Sequence, residues 1–193
     1  MSYVWYVGYA SNLHEERLLC YIEGGKPRFG NRRNKGCADR THPLEDRAVS
    51  LSYPLYFALP GSIGETRNWG AGGVAFIDPR KKTGPGTICR MWKITEAQYC
   101  ELRAQEGDWY NLVMEVGEAG GFPMLTITHE AALANLLCPS DAYIKTIALG
   151  LRQTCGLTLE EIADYLLDKP GIRESIEREA LTKTLMPLKE IEA

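Results

Sequence analysis

The apolar run from Tyr3 to Gly8 stops at Tyr9-Ala10-Ser11-Asn12-Leu13 and opens onto His14-Glu15-Glu16-Arg17-Leu18-Leu19. This reads as a strand feeding a tight polar turn into a helix. The first N–H groups of a helix have no partners within it, and together with the helix dipole they attract a carboxylate or phosphate. Asn12 is suited to cap the helix, with Glu15 three residues on to reach back, and Gly24 is suited to end it. An ordinary capped helix after a strand explains the same residues. Local pattern alone does not decide between the two.

A second feature lies about ninety residues further on. Thr95-Glu96-Ala97-Gln98 is a Thr/Gln capping box, and the helix it starts runs toward Gln105-Glu106-Gly107-Asp108-Trp109-Tyr110. With Gly107 as the residue after the cap, Glu106 falls in the last turn, facing the negative end of the helix dipole. Local stability does not favour an acid there. Partial desolvation by Trp109 and Tyr110, which would screen Glu106 from bulk water, suits such a carboxylate to proton transfer. Read alone, Glu106 is equally a solvated acid at a frayed helix end.

Four short segments in order resemble the gamma-glutamylcyclotransferase-like (AIG2-like) family: Tyr9-Ala10-Ser11-Asn12-Leu13, Trp69-Gly70-Ala71-Gly72-Gly73, Gln105-Glu106-Gly107 and Pro139-Ser140-Asp141-Ala142-Tyr143. The resemblance spans residues 3 to about 157. It implies an α+β fold, a small mixed β-barrel with surrounding helices. It also implies substrate binding by Tyr9, Ala10, Ser11, Asn12 and Leu13, whose loop amides hold an alpha-carboxylate, proton transfer by Glu106, and Tyr143 on the pocket wall. Two positions depart from the family pattern. Ala10 stands where the family usually carries glycine, which matters if that position needs positive φ or a close substrate approach. Cys89, in the strand around Thr87 to Ile94, also replaces a frequent glycine.

A chain of 193 residues with 45% hydrophobic and 24% charged residues can bury one ordinary core. The expected organisation is one domain: residues 1–157 as the gamma-glutamylcyclotransferase-like part and residues 158–193 as a C-terminal helical extension. The net charge of −3 argues against nucleic acid or a membrane surface as main partner. The longest apolar stretches are too short to span a bilayer, and the N-terminus lacks a basic start followed by an apolar stretch. Cytoplasm is the expected address. Cys20, Cys37, Cys89, Cys100, Cys138 and Cys155 form no Cys-x-x-Cys pair and read as reduced thiols, mostly in the core.

Residues 26 to 47 carry Arg28, Arg32, Arg33, Lys35 and Arg40 without periodicity, which predicts a long solvated loop, with an anion-steering rim as the alternative. Leu51 to Ala58, Gly73 to Asp78 and Ile88 to Ile94 read as strands, with Pro54 placing the first at an edge or on a bulge. Leu112 to Val116 and Met124 to Thr128 flank a glycine-rich turn and predict a hairpin, for about six strands in all. Ser140 caps a helix ended by Gly156, with Tyr143 half-buried on it. Thr158 to Glu161 is another capping box, its helix stops at Pro170-Gly171, and a last helix is expected from Ile172 to Leu185.

The reaction implied by the resemblance converts a small-molecule gamma-glutamyl amine, amide or dipeptide into 5-oxoproline and a free amine, with Glu106 as general acid and base and no cofactor. His14, His42 and His129 are dispersed, and no His or Cys ligand spacing, P-loop, Gly-x-Ser-x-Gly or Gly-x-Gly-x-x-Gly motif is present, so no metal is expected. Trp69-Gly70-Ala71-Gly72-Gly73 reads as a tight turn before a strand, with Trp69 at the pocket rim. The rival readings are a non-catalytic protein that binds a carboxylate or acyl group, and a transferase or hydrolase acting on another amide with the same scaffold. A receptor for an anion gains nothing from a carboxylate beside it, which favours the enzyme.

Overall fold

Seven strands and five α-helices are laid down among the described residues of the computed structural model, which are 2–61, 68–80 and 86–191. The N-terminal run is the central strand of the larger sheet. β1 (Tyr3–Tyr9) pairs antiparallel with β5 (Thr87–Thr95), from Tyr3 opposite Thr95 to Tyr9 opposite Cys89. On its other side β1 runs parallel to β7 (Phe122–Thr128), with Tyr6 opposite Leu125. β2 (Asp46–Leu51) and β6 (Leu112–Ala119) form the two edges, giving the order β2-β5-β1-β7-β6. β3 (Leu55–Ala58) and β4 (Val74–Ile77) make a separate antiparallel ribbon.

A strand at the middle of a mixed sheet is covered on both faces, and β1 is apolar throughout for that reason. Its alternation sends Trp5, Val7 and Tyr9 into a large core shared with the ribbon and with helix α3 (Asp141–Cys155). Val4 and Tyr6 point the other way, into a smaller core with Leu18 of helix α1 (Glu15–Ile22) and Leu102 of helix α2 (Glu96–Arg103). Ile162 and Leu166 of α4 (Leu159–Leu167) and Leu181 and Leu185 of α5 (Arg178–Leu185) belong to the large core. The C-terminal helices thus bury their apolar faces in the same interior as α3.

The expected barrel does not close. The edge strands β2 and β6 are not paired with each other, and the ribbon is tied to the sheet by side chains. The Ile77 amide donates to Thr128 Oγ1 at 3.2 Å, that hydroxyl donates back to the Ile77 carbonyl at 2.8 Å, and the Tyr110 hydroxyl donates to the Ala75 carbonyl at 3.0 Å. The predicted strand from Leu51 to Ala58 is in fact the end of β2 and all of β3, broken at Ser52-Tyr53-Pro54. Proline has no N–H for a ladder, so the chain leaves one sheet there and starts the other.

Local signals elsewhere are matched by the structure. Both capping boxes form, Ser140 Oγ accepts from the Tyr143 amide, and Gly156 ends α3 in the left-handed conformation. Gly120 and Gly121, both at positive φ, turn the β6–β7 hairpin. The last helix is shorter than expected, starting at Arg178, because residues 170–175 form turns that pack Ile172 into the core. Of the six thiols, Cys20, Cys37 and Cys89 are buried, Cys138 is intermediate, and Cys100 and Cys155 are exposed, so the core holds fewer than expected.

One helix position fixes the start of α1. α3 crosses the Ala10–Leu13 segment at Gly150, where a Cβ would lie 2.5 Å from Leu13 Cβ and 2.7 Å from the His14 amide nitrogen. Only the absence of a side chain at 150 lets the helix rest on this turn.

Candidate active site

Residues Ala10–Leu13 form one turn of 3-10 helix, buried throughout. Ala10 has φ 57°, the left-handed conformation that glycine tolerates best, so the position where the resembling family carries glycine does require that geometry. His14, not Asn12, precedes α1, and its side chain makes no capping hydrogen bond. Freed from capping, Asn12 turns its amide inward. Its Nδ2 donates to the Tyr6 hydroxyl at 2.7 Å and to Glu106 Oε1 at 3.2 Å, while the Trp92 indole donates to the Asn12 carbonyl at 3.0 Å.

Glu106 reaches this point from a turn beyond α2 and not from its last turn. The helix ends at Arg103, and the Glu106 amide donates to the Arg103 carbonyl at 3.1 Å. Gly107 is not a left-handed cap. The Trp109 indole lies across it, 2.4 Å from where a Cβ would be. Glu106 is half-buried, less screened than expected, because it sits on the wall of a cavity of about 570 Å³. Tyr9, Ser11, Asn12, Glu106 and Tyr143 all line that cavity, as does Trp69. Leu13, 1% exposed, packs beneath α3, and Ala10, 2% exposed, joins the core, so neither side chain belongs to the lining.

Several phenols surround the carboxylate. Burial first, and the nearby Glu106 charge second, push the Tyr6 hydroxyl well above its ordinary pKa, and burial does the same to Tyr9 and Tyr110. Burial raises Tyr143 to about 12, against the Ala75 amide and the Ser11 hydroxyl, which favour its anion. At neutral pH these groups stay protonated; the Tyr6 hydroxyl accepts from Asn12 Nδ2 and the Tyr143 hydroxyl from the Ala75 amide at 3.4 Å, while Tyr9 and Tyr110 donate to backbone carbonyls. Tyr9 donates to the Ile127 carbonyl at 2.7 Å, and Tyr143, expected to be half-buried, is 3% exposed and packs against Trp69 with ring centres 4.9 Å apart and planes inclined at 42°.

No family model matches the chain. A curated relative, histone deacetylase 5 of Arabidopsis thaliana, is 26% identical over 202 residues; the match covers 84% of this chain and 30% of that protein, so the chain spans under a third of its length. Among solved structures, a gamma-glutamyl cyclotransferase superposes with a TM-score of 0.59 at 20% identity, covering 91% of this chain and 89% of the other. An uncharacterized protein from Homo sapiens gives 0.60 at 20% identity, over 92% and 89% of the two chains. The chain has the gamma-glutamyl cyclotransferase-like fold.

On this gamma-glutamyl cyclotransferase-like fold, the cavity also recruits residues that the sequence reading passed over. Arg17 and Tyr21, four apart on the buried side of α1, line it, and so do Arg32 and Asn34 from the basic loop. Arg32 Nη1 donates to the Gln105 carbonyl at 3.4 Å, and Arg28, Arg32, Arg33, Lys35 and Arg40 are all exposed, so the basic loop is solvated as expected while its Arg32 and Asn34 border the cavity. The available signal was an arginine on the same helical face as buried Tyr21, next to Leu18 and Ile22. Among the described residues no group of three His, Cys, Asp or Glu could hold a metal ion, and no helix is long and apolar enough to cross a membrane.

Proposed function

We propose that this chain is a cytosolic gamma-glutamylcyclotransferase-like enzyme that converts a small gamma-glutamyl compound to 5-oxoproline without a cofactor. The observation that carries the reading is the convergence of Glu106 and the Ser11–Asn12 turn on one cavity, their side chains 3.2 Å apart across 94 residues of sequence. Two unrelated capped helix ends would have no reason to meet.

In this reading the turn amides of Ser11 and Asn12 hold the substrate's alpha-carboxylate, and the Tyr143 hydroxyl borders the glutamyl chain. The free alpha-amine attacks the delta-carbonyl carbon, forming the new ring C–N bond and passing a proton to Glu106. The amide C–N bond then breaks as Glu106 returns that proton to the leaving nitrogen. One carboxylate serves as base and then acid, and holding the amine against the carbonyl contributes up to roughly 7–11 kcal/mol in ideal cases. Asn12 Nδ2 fixes the Glu106 carboxylate through a hydrogen bond that does not depend on substrate.

The test is a mass-spectrometric screen of gamma-glutamyl amines, amides and dipeptides for 5-oxoproline, run on the wild-type chain and on Glu106→Gln. Release by the wild type should fall at least ~100-fold in the folded variant. Binding of these compounds without product would instead favour a carboxylate-binding protein, and near-normal turnover by the variant would remove Glu106 from the chemistry.

A further inference from the structure

Arg17 is a buried charge that the proposed chemistry leaves without a task. It is 5% exposed, and burying a guanidinium without a counter-charge is costly. The contrast with Arg90 is direct: that arginine is also buried, and Asp46 neutralises it at 2.6 Å. Arg17 has no such carboxylate among the described residues, and its Nε has no acceptor there. Its hydrogen bonds run through Nη1 and Nη2 to neutral partners, and both paths lead to Glu106.

The first path has two steps. Nη2 donates to the Tyr21 hydroxyl, one turn further along α1, and the guanidinium centre lies 3.8 Å from the Tyr21 ring. A guanidinium has donors only, so the Tyr21 oxygen accepts from it and keeps its own proton for another partner. That partner is the Glu106 carboxylate. Burial pushes the Tyr21 hydroxyl well above its ordinary pKa, against the pull of the Arg17 charge, and Glu106 adds to the rise, so at neutral pH the proton stays on the phenol. Glu106 is thus held by Tyr21 as well as by Asn12 Nδ2 at 3.2 Å. Successive hydrogen bonds polarise one another, so a charged donor at the head of the chain strengthens its last link.

The second path fixes the backbone that carries the carboxylate. Arg17 Nη1 donates to Asn34 Oδ1 at 3.0 Å, and Asn34 Nδ2 donates to Gln105 Oε1 at 3.4 Å. Gln105, the residue before Glu106, returns Nε2 to the Tyr21 carbonyl at 3.0 Å and so closes a ring on α1. Tyr21, Asn34 and Gln105 are all buried, which keeps water from competing for these bonds.

We propose that Arg17 is a positioning residue for Glu106, setting the carboxylate through the Tyr21 hydroxyl and the turn beneath it through Asn34 and Gln105, an inference that rests on the cyclotransferase reading of the cavity. A carboxylate that takes a proton from one nitrogen and returns it to another must stay aligned with both. Misplacement by about 1 Å can cost about 100-fold in turnover.

Turnover of gamma-glutamyl-alanine and urea unfolding, both on the full chain, test the assignment. Arg17→Met and Tyr21→Phe should each lower kcat ~10–100-fold with KM little changed. The double variant should fall no further than Arg17→Met alone, and Arg17→Lys should recover part of the loss. The unfolding arm needs no substrate. The effects of Arg17→Met and Glu106→Gln on the unfolding equilibrium constant should fail to multiply, by ~5–30-fold, and that coupling should be lost in the Tyr21→Phe chain. An unchanged kcat, effects that multiply, or a coupling that survives Tyr21→Phe overturns the proposal. Should Arg17→Met not fold, the cycle of Tyr21→Phe with Glu106→Gln decides: coupling upholds the tie and effects that multiply overturn it. Turnover without coupling defeats the tie and keeps the cyclotransferase, whereas coupling with no 5-oxoproline from any gamma-glutamyl amine, amide or dipeptide defeats the cyclotransferase and keeps the tie to Glu106.

Discussion

Replacing Gly150 by alanine sets helix propensity against packing. In the interior of an isolated helix the change is worth about 1 kcal/mol of added stability. In this protein the new Cβ would sit 2.5 Å from Leu13 Cβ, 2.7 Å from the His14 amide nitrogen and 2.8 Å from the Leu13 carbonyl carbon. Two of those three atoms are backbone and cannot rotate away, so α3 and the turn must part by roughly an ångström to restore ordinary contact distances of about 3.5–4 Å. Overpacking against backbone atoms falls in the upper part of the usual range, about 2–3 kcal/mol, which outweighs the propensity gain of about 1 kcal/mol and leaves a net loss on the order of 1–2 kcal/mol. For a chain of this size that lowers Tm by about 2–8 °C. The turn that moves carries Ser11 and Asn12, and a shift of about 1 Å at a positioning element can cost about 100-fold in turnover. Urea unfolding and calorimetry of wild type and Gly150→Ala read the first effect, and 5-oxoproline release reads the second. A variant at least as stable as wild type with unchanged turnover would refute the reasoning, because it would mean that α3 does not hold the turn.

Ala10→Val should be more damaging than its size suggests. A β-branched side chain at φ 57° is strongly disfavoured, and a stability loss above ~2 kcal/mol in denaturant unfolding is expected. His14 gives a pH dependence. Burial is the main cause that lowers its pKa from 6.5 to about 4, so the unfolded chain binds the proton first, and stability is full above pH 6.5 and lost as pH falls toward 4. The loss is on the order of 3 kcal/mol, and His14→Gln should flatten that limb of the stability curve measured by urea titration. EDTA should leave 5-oxoproline release unchanged, since the proposed proton transfers need one carboxylate and no Lewis acid. Activity lost to chelation and restored by one added metal would contradict that mechanism.

The elements that sequence reading placed well are those whose causes lie within a few residues. Thr95 with Gln98 and Thr158 with Glu161 close their capping boxes over three residues, and Ser140 and Gly156 bound α3 by a side-chain hydrogen bond and a left-handed backbone. The β6–β7 hairpin follows from Gly120 and Gly121 in the same way. Pro54 carried a local signal as well, but reading it as an edge or bulge missed its consequence. The break moves β3 out of the five-stranded sheet, and which strand it pairs with next is a long-range matter.

The candidate site divides along the same line. The family resemblance marked Glu106, Asn12, Ser11 and Tyr143 as site residues, and it raised the question, answered by the φ of 57° at Ala10, of whether position 10 needs positive φ. Sequence reading misassigned Asn12 as a helix cap, because a cap and a cavity-facing amide differ only in where the chain turns, and that turn is set by α3 resting at Gly150. It overlooked Arg17, since an arginine on a short amphipathic helix ordinarily keeps its charge in water. Local hydrogen bonds and backbone preferences are written into neighbouring residues and fixed the strand and the helix of the N-terminal corner, though not the turn between them. The meeting of that corner with Glu106, and the burial of Arg17 without a carboxylate partner among the described residues, depend on packing between segments tens of residues apart, which only the tertiary structure could decide.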